Sequence, residues 1–221
     1  MMKIWGMTDI GLVRKENQDA YAVRVSEDTG YTVCVVCDGM GGPGGGRLAS
    51  TLAVETFIDA CQGNLRPGMD AEEIRQVADF AVSSANRAVY QRSQAEPGLR
   101  GMGTTLVSAV AWEGQVLVSN VGDSRAYLVR QNSGISRVTR DHSLVERLVE
   151  LGNITEEQAR CHPDRNLITR ALGPEEDALS DSYLLHMEPG DYVLLCTDGL
   201  IETATDKEME EEILRGGDPN S

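Results

Sequence analysis

The sequence predicts an α+β sandwich, and three observations carry that expectation. Strand-like runs follow one another in succession, the helical periodicities are confined to a few stretches, and two apolar strands each run straight into Asp-Gly. A βαβ-wound sheet would need a helix between most consecutive strands, whereas the region 101–130 carries only turns between its apolar runs.

Taken in order, residues 3–9 and 19–25 read as strands around the polar turn RKENQ. Residues 31–37 form a continuous Val/Cys run, the mark of a strand buried on both faces, followed by the glycine-rich loop GMGGPGGG. Helical spacing then places Leu48, Leu52, Ala53, Phe57 and Ala60 on one face of a helix over 47–60. A second helix over 70–94 carries Ile74, Val77, Ala78, Ala81, Ala85 and Ala88. GTTLVSAVAW, QVLVSNV and SRAYLVR, separated by Glu113-Gly114 and Gly122-Asp123, predict an antiparallel meander of three strands. Residues 141–173 change character, with short helical stretches, breaks at Gly152 and Pro163, and Arg160, Arg165 and Arg170 among acids; a mobile flap over an edge is expected there. Strands over 180–186 and 191–197 and an acidic helical tail complete the pattern.

The chain has 221 residues and 41% hydrophobic content, enough for one sizeable core, and no Pro/Ser-rich stretch or charge block divides it, so a single domain over 1–221 is expected. No apolar run approaches the roughly 18 residues of a membrane span, and the start, MMKIWGMTDIG, lacks the pattern of a secretory signal. The five cysteines (34, 37, 61, 161 and 196) lack zinc or redox spacing and read as reduced core residues of a cytoplasmic protein. A net charge of −15, from 35 acids and 20 bases, disfavours nucleic acid as a partner and with it a nuclease, for which no basic groove is visible.

The acids at the ends of the two buried strands are Asp38, before Gly39, and Asp198, before Gly199. Asp-Gly is a strong hairpin signal, and that reading stays open for each pair. The functional alternative is a divalent-metal site, with hard oxygen ligands on rigid strand ends and glycine allowing close approach to the backbone.

The strings TDIGLVRKENQDA (8–20), VCDGMGG (36–42), GMGTT (101–105), NVGDSRAYL (120–128), RDHS (140–143), ITRALG (168–173) and CTDGLIE (196–202) occur in this order. Together they resemble the metal-dependent Ser/Thr protein phosphatase family (PPM, type 2C) in its compact bacterial form. The resemblance implies a four-layer α-β-β-α sandwich of two mainly antiparallel sheets flanked by helices, with two Mn²⁺ or Mg²⁺ ions at one end. It implies hydrolysis of phospho-Ser/Thr by direct attack of a metal-bridging water or hydroxide, which needs no nucleophilic side chain. By the same resemblance Asp38 bridges both ions, the Gly39 carbonyl serves the second, and Asp198 holds the first. Asp123, with Asp198 and Glu202, forms a weaker third site; read without the resemblance, Asp123 is a plain hairpin turn. Arg14 matches the phosphate-binding arginine, its planar fork suiting bidentate contact, with a surface turn arginine as the alternative. Asp19 is an outer-shell acid that orders metal-bound water. The implied partners are phosphorylated Ser/Thr proteins, among them a bacterial Ser/Thr kinase, for a monomeric enzyme.

The chain also departs from the family pattern. Gln18 stands where many members have an acid that meets a metal through water, which weakens the expected second site. Pro43 and Arg47 stand where a His and an acid are frequent, so that proton delivery to the leaving group would fall to a metal-bound water or to His162. The family's closing glycine-rich turn, Asp-Asn pair and last strand are not matched: the sequence ends in GGDPNS, where Asp218 comes too early and Pro219 follows it. A C-terminally incomplete phosphatase domain is therefore expected, with a catalytically weak phosphoprotein-binding or regulatory domain as the competing reading.

Overall fold

The computed structural model describes residues 2–42 and 44–216, so the expectations at Pro43, Asp218 and Pro219 lie outside the described residues. Its strands are β1 (Asp19–Val25), β2 (Thr32–Met40), β3 (Gly103–Thr104), β4 (Leu106–Trp112), β5 (Gln115–Val121), β6 (Arg125–Arg130), β7 (Gly134–Arg137), β8 (Asp181–His186) and β9 (Tyr192–Cys196). Its helices are α1 (Gly45–Asn64), α2 (Ala71–Ala95), α3 (Leu144–Glu150), α4 (Glu156–Arg160), α5 (Asp198–Ile201) and α6 (Asp206–Arg215), with a short 3₁₀ turn at Pro97–Leu99.

Side chains alternate across a strand, so a strand covered on both faces must be apolar on both. Along β4, Leu106 and Val110 join the core beneath α1 and α2, while Val107 and Ala109 face the second sheet. The larger sheet runs β1-β2-β4-β5-β8, with β3 also paired to β2, and the smaller runs β7-β6-β9, all neighbours antiparallel. In the smaller sheet Ala126 turns inward to the larger sheet, and Tyr127 outward to Met209 of α6. The layers are therefore the α1/α2 pair, two sheets and α6, which is the expected sandwich.

Side-chain caps set the starts of α2 and α6. Asp70 accepts from the amides of Glu72 and Glu73 while Glu73 bonds back to the Asp70 amide, a capping box that fixes the start of α2. Thr205 and Glu208 do the same for α6. Among the described residues no helix is long and apolar enough to cross a membrane.

The structure corrects several expectations. Residues 3–9 form no strand; Tyr21 of β1 instead donates its hydroxyl to the Gly6 carbonyl at 2.9 Å, and its ring lies where a Cβ on Gly6 would be, so a side chain replaces the main-chain ladder. The three-strand meander is broken: β4 pairs with β5, but β6 crosses to the other sheet and pairs with β7 and β9. Gly122, at φ 110°, makes the corner, and a Cβ there would stand 2.6 Å from Thr105 Cγ2. The place beside β5 is taken by β8, so β8 and β9 lie in different sheets although they are adjacent in sequence. Of the cysteines, all unpaired, Cys161 is exposed rather than in the core.

Candidate active site

The β1–β2 register sets Asp19 directly opposite Asp38, where β1 begins and β2 nears its end. Asp198 opens α5 immediately after β9, and Asp123 occupies the corner between β5 and β6. These four acids come from both sheets, yet each of Asp19, Asp123 and Asp198 acts electrostatically on Asp38. Among these charges Asp19 bears most on Asp38, then Asp198, then Asp123.

The Asp38 backbone is held from both sides. Its amide donates to Thr105 Oγ1 at 2.9 Å, and its carbonyl accepts from Thr104 Oγ1 at 2.8 Å and from the Thr105 amide at 2.9 Å. Thr105 Oγ1 also meets Ser124 Oγ at 2.7 Å, which ties the strand end of Asp38 to the corner of Asp123. Thr197 donates from Oγ1 to Asp19 Oδ2 at 3.0 Å, linking the entrance of α5 to β1. In the sequence only the Thr104-Thr105 pair, which opens a buried strand, signals such a role; Ser124 and Thr197 carry no local signal.

Gly39 sits where β2 meets the start of α1. A Cβ on Gly39 would lie 2.0 Å from the Gly46 carbonyl oxygen, and one on Gly46 would lie 2.6 Å from the Gly39 carbonyl oxygen and 2.9 Å from Gln18 Cδ. The glycines thus allow two backbones and the Gln18 side chain to meet at the Gly39 carbonyl. The Gln18 carbonyl accepts from the Gly39 amide at 3.1 Å and from Ser50 Oγ at 2.6 Å, so this loop is rigidly seated.

Burial pushes the Asp38 carboxyl up to about 8, reinforced by the charges of Asp19, Asp198 and Asp123. Burial, then Asp198 and Asp141, raises Asp123 to about 6. Burial also raises Asp19, against the stabilising hydrogen bond from Thr197. Half-buried carboxylates that share a neighbouring negative charge are costly unless a cation joins them.

The remaining sequence-predicted residues lie around this cluster. Arg14 is exposed, and its positive charge is felt at Asp19. Glu202, just after α5, is exposed and forms an ion pair with Arg165 at 3.9 Å. Arg47 reaches Glu16 at 4.0 Å. His162 accepts from the Asp164 amide at 3.1 Å.

Among the described residues, no three His, Cys, Asp or Glu side chains form a ready-made metal cage. The acids and the Gly39 carbonyl nevertheless fit a hard divalent ion that keeps much of its water, since Mg²⁺ is typically bound by one or two carboxylates rather than by an all-protein cage. Burial and the charge of Asp198 raise Asp38, Asp19 and Asp123 alike, and this favours the fit, because an added cation would relieve it.

Residues 13–215 match the protein phosphatase 2C family. The chain is 39% identical over 204 residues to the serine/threonine phosphatase stp of Listeria monocytogenes, covering 92% of this chain and 80% of that protein. It is 34% identical over 218 residues to the protein phosphatase PhpP of Streptococcus pneumoniae, covering 95% and 83%. The crystal structure of the serine/threonine phosphatase Stp1 from Staphylococcus aureus superposes with a TM-score of 0.88 at 32% identity, over 97% of this chain and 83% of that one.

Proposed function

Because the chain belongs to the protein phosphatase 2C family, whose members are metal-dependent, we propose that it removes phosphate from phosphoserine and phosphothreonine side chains of proteins, using two Mn²⁺ or Mg²⁺ ions at the Asp38 end of the sandwich. The observation that carries this reading is the Asp38 carboxyl, paired in register with Asp19 and acted on by the charges of Asp198 and Asp123. When bound, the ions supply an activated water for in-line attack on phosphorus and neutralise charge on the phosphoryl oxygens.

The residues of this chain divide the remaining work. On this reading Asp38 and Asp198 supply carboxylate oxygens from the ends of strands in different sheets, and the Gly39 carbonyl supplies a neutral oxygen. Thr104 and Thr105 fix the Asp38 backbone, so its carboxylate has little freedom to follow a departing ligand. Asp19 is kept in place by Thr197, with its charge available to orient water. The exposed guanidinium of Arg14 is free to hold two phosphoryl oxygens, which positions phosphorus and excludes water from that side. Asp123 and Asp198 mark a third, weaker cation position; Glu202 joins it only on leaving Arg165. The natural substrates on this reading are proteins phosphorylated by a Ser/Thr kinase, including the kinase itself.

The test is hydrolysis of a phosphothreonine peptide and of p-nitrophenyl phosphate by this chain, titrated with Mn²⁺. Turnover that vanishes with EDTA and falls at least about a hundredfold in Asp38→Ala supports the reading. A folded protein that binds the phosphopeptide without metal-dependent turnover overturns it in favour of a binding domain.

A further inference from the structure

His142 lies outside the acid cluster, yet it is nine-tenths buried and joins three separate parts of the chain. Its Nδ1 accepts the Gly122 amide at 3.0 Å, and its Nε2 lies 3.2 Å from Asp181 Oδ2. Nδ1 as an acceptor requires the proton on Nε2, where Arg170 Nη1 also stands at 3.1 Å; a guanidinium cannot accept, so the proton goes to the Asp181 carboxylate. Arg170 completes the group by donating to Asp181 Oδ1 at 2.9 Å.

The segment 141–173 leaves and re-enters the sandwich through a closed neck at this point. The Thr169 amide donates to the His142 carbonyl at 2.7 Å, the Leu144 amide to the Leu167 carbonyl at 2.9 Å, and Ser143 bridges Ile168. One side of the neck meets the corner that carries Asp123: the His142 amide donates to the Gly122 carbonyl at 2.9 Å, and Arg125 grips Asp141 through Nε at 2.9 Å and Nη2 at 2.6 Å. The other side meets the Asp38 clamp, since Leu172 exchanges backbone hydrogen bonds with Thr104 at 2.9 and 3.0 Å. Gly122 itself packs on Thr105, the residue that holds the Asp38 amide. The neck is therefore bonded directly to the corner that carries Asp123 and, through Thr104, to the strand end that carries Asp38.

We propose that His142 is a positioning residue: by accepting the Gly122 amide, its imidazole pins the Asp123 corner to the neck of the 141–173 segment and so sets where Asp123 stands relative to Asp38. The function of this pin rests on the phosphatase reading, but its existence does not. His142 touches no reacting atom and is not a catalytic residue. Substitutions at 142 that keep the backbone N–H leave the groups of the neck's backbone bonds in place, so the Gly122 amide bond isolates what the side chain contributes.

Two substitutions separate the two halves of the imidazole. His142→Asn places an amide oxygen near the Nδ1 position and can still accept from Gly122, but it cannot reach Asp181. His142→Gln reaches Asp181 and gives up the acceptor at the Nδ1 position. The readouts are hydrogen exchange at the Gly122 amide, Mn²⁺ binding by calorimetry, and kcat and KM for a phosphothreonine peptide, each with a melting curve. His142→Asn is expected to keep Gly122 protected and kcat within about threefold of the parent. His142→Gln is expected to lose that protection, weaken the lower-affinity Mn²⁺ step, and lower kcat about ten- to hundredfold with KM little changed. Equal losses of kcat in the two variants, or losses that follow melting temperature alone, overturn the proposal. So does a protected Gly122 amide in His142→Gln. A parent chain without metal-dependent turnover would sink the phosphatase reading and leave the exchange contrast to decide the pin.

Discussion

Asp19 and Asp38 are directly opposed across the β1–β2 ladder. Like charges at directly paired positions destabilise a sheet, and here burial and Asp198 add to the cost. A fold that places three acids this way resembles an ion site held ready more than a turn, because an Asp-Gly hairpin gives no reason for a second acid on the facing strand.

The first prediction concerns pH and metal. Asp38 is raised from 3.8 to about 8 in the folded chain. A raised carboxyl contributes stability that is fully present below its unfolded value and is lost as pH rises through the folded one. In EDTA, stability is therefore expected to fall between pH 3.8 and about 8 by more in the parent than in Asp38→Asn, which cannot ionise. Saturating Mn²⁺ should remove the parent's excess fall, because the ion favours the ionised carboxylates. Melting curves across this range, with and without metal, make the comparison; parallel curves for parent and variant in EDTA would contradict it.

Thr105 gives the second. Its hydroxyl accepts the Asp38 amide and meets Ser124, so Thr105→Val leaves a buried amide unpaired at nearly constant shape. A loss of about 1–3 kcal/mol is expected, together with weaker Mn²⁺ binding, whereas Thr105→Ser retains most of both. Urea unfolding and calorimetry on the two variants check this; Thr105→Val with unchanged metal affinity would show that the clamp does not set the carboxylate.

How much of this was legible in the sequence follows from which facts are local. Asp38 and Asp198 were legible because a buried apolar strand ending in an acid is a local pattern. The sandwich followed from the succession of strands, and α2 followed from its helical spacing. The opposition of Asp19 and Asp38 depends on the strand register across residues 26–31, which the apolar pattern alone does not fix. The sheet change at Gly122 was misread because Gly-Asp between two strands looks the same in a hairpin and at a corner; what decides is Thr105, distant in sequence, filling the space beside Gly122. The neck around His142 was invisible for the same reason, its bonds joining 122, 142, 170 and 181.

Backbone contact at the candidate site supplies the third prediction. Gly39→Ala would force a Cβ to within 2.0 Å of the Gly46 carbonyl oxygen, which belongs to the first turn of α1 and cannot rotate away. Destabilisation of about 3 kcal/mol or more is expected. Gly42→Ala, in the same loop with open space around the added methyl, should melt within a few degrees of the parent. If both variants melt alike, the β2–α1 approach is looser than the structure has it.

Arg14 supplies the fourth. An exposed guanidinium that holds phosphoryl oxygens in both ground and transition states should mainly affect binding, so Arg14→Ala is expected to raise KM for a phosphopeptide about tenfold or more without altering melting temperature. Arg14→Lys keeps the charge and gives up the planar fork, and should recover only part of the loss. Steady-state kinetics with both variants decide it, and an unchanged kcat/KM in Arg14→Ala would return Arg14 to the role of a surface turn residue.

The last prediction compares two buried serines. Ser50 donates to the Gln18 carbonyl at 2.6 Å and so supports the loop behind Gly39. Ser108 lies directly opposite Ser119 of β5, which lies opposite Ser182 of β8, and the hydroxyls of all three make no hydrogen bond among the described residues. Removing a hydroxyl that has no partner relieves a desolvation cost, whereas removing one that is bonded leaves its acceptor short. Ser108→Ala is therefore expected to be neutral or to raise stability by up to about 1 kcal/mol, and Ser50→Ala to lower it by about the same amount. Ser50→Ala should also weaken the response to Mn²⁺, since the carbonyl it frees anchors the amide of Gly39; Ser108→Ala should not. A stability loss at Ser108 as large as that at Ser50 would mean that water or a shifted neighbour satisfies the serine row.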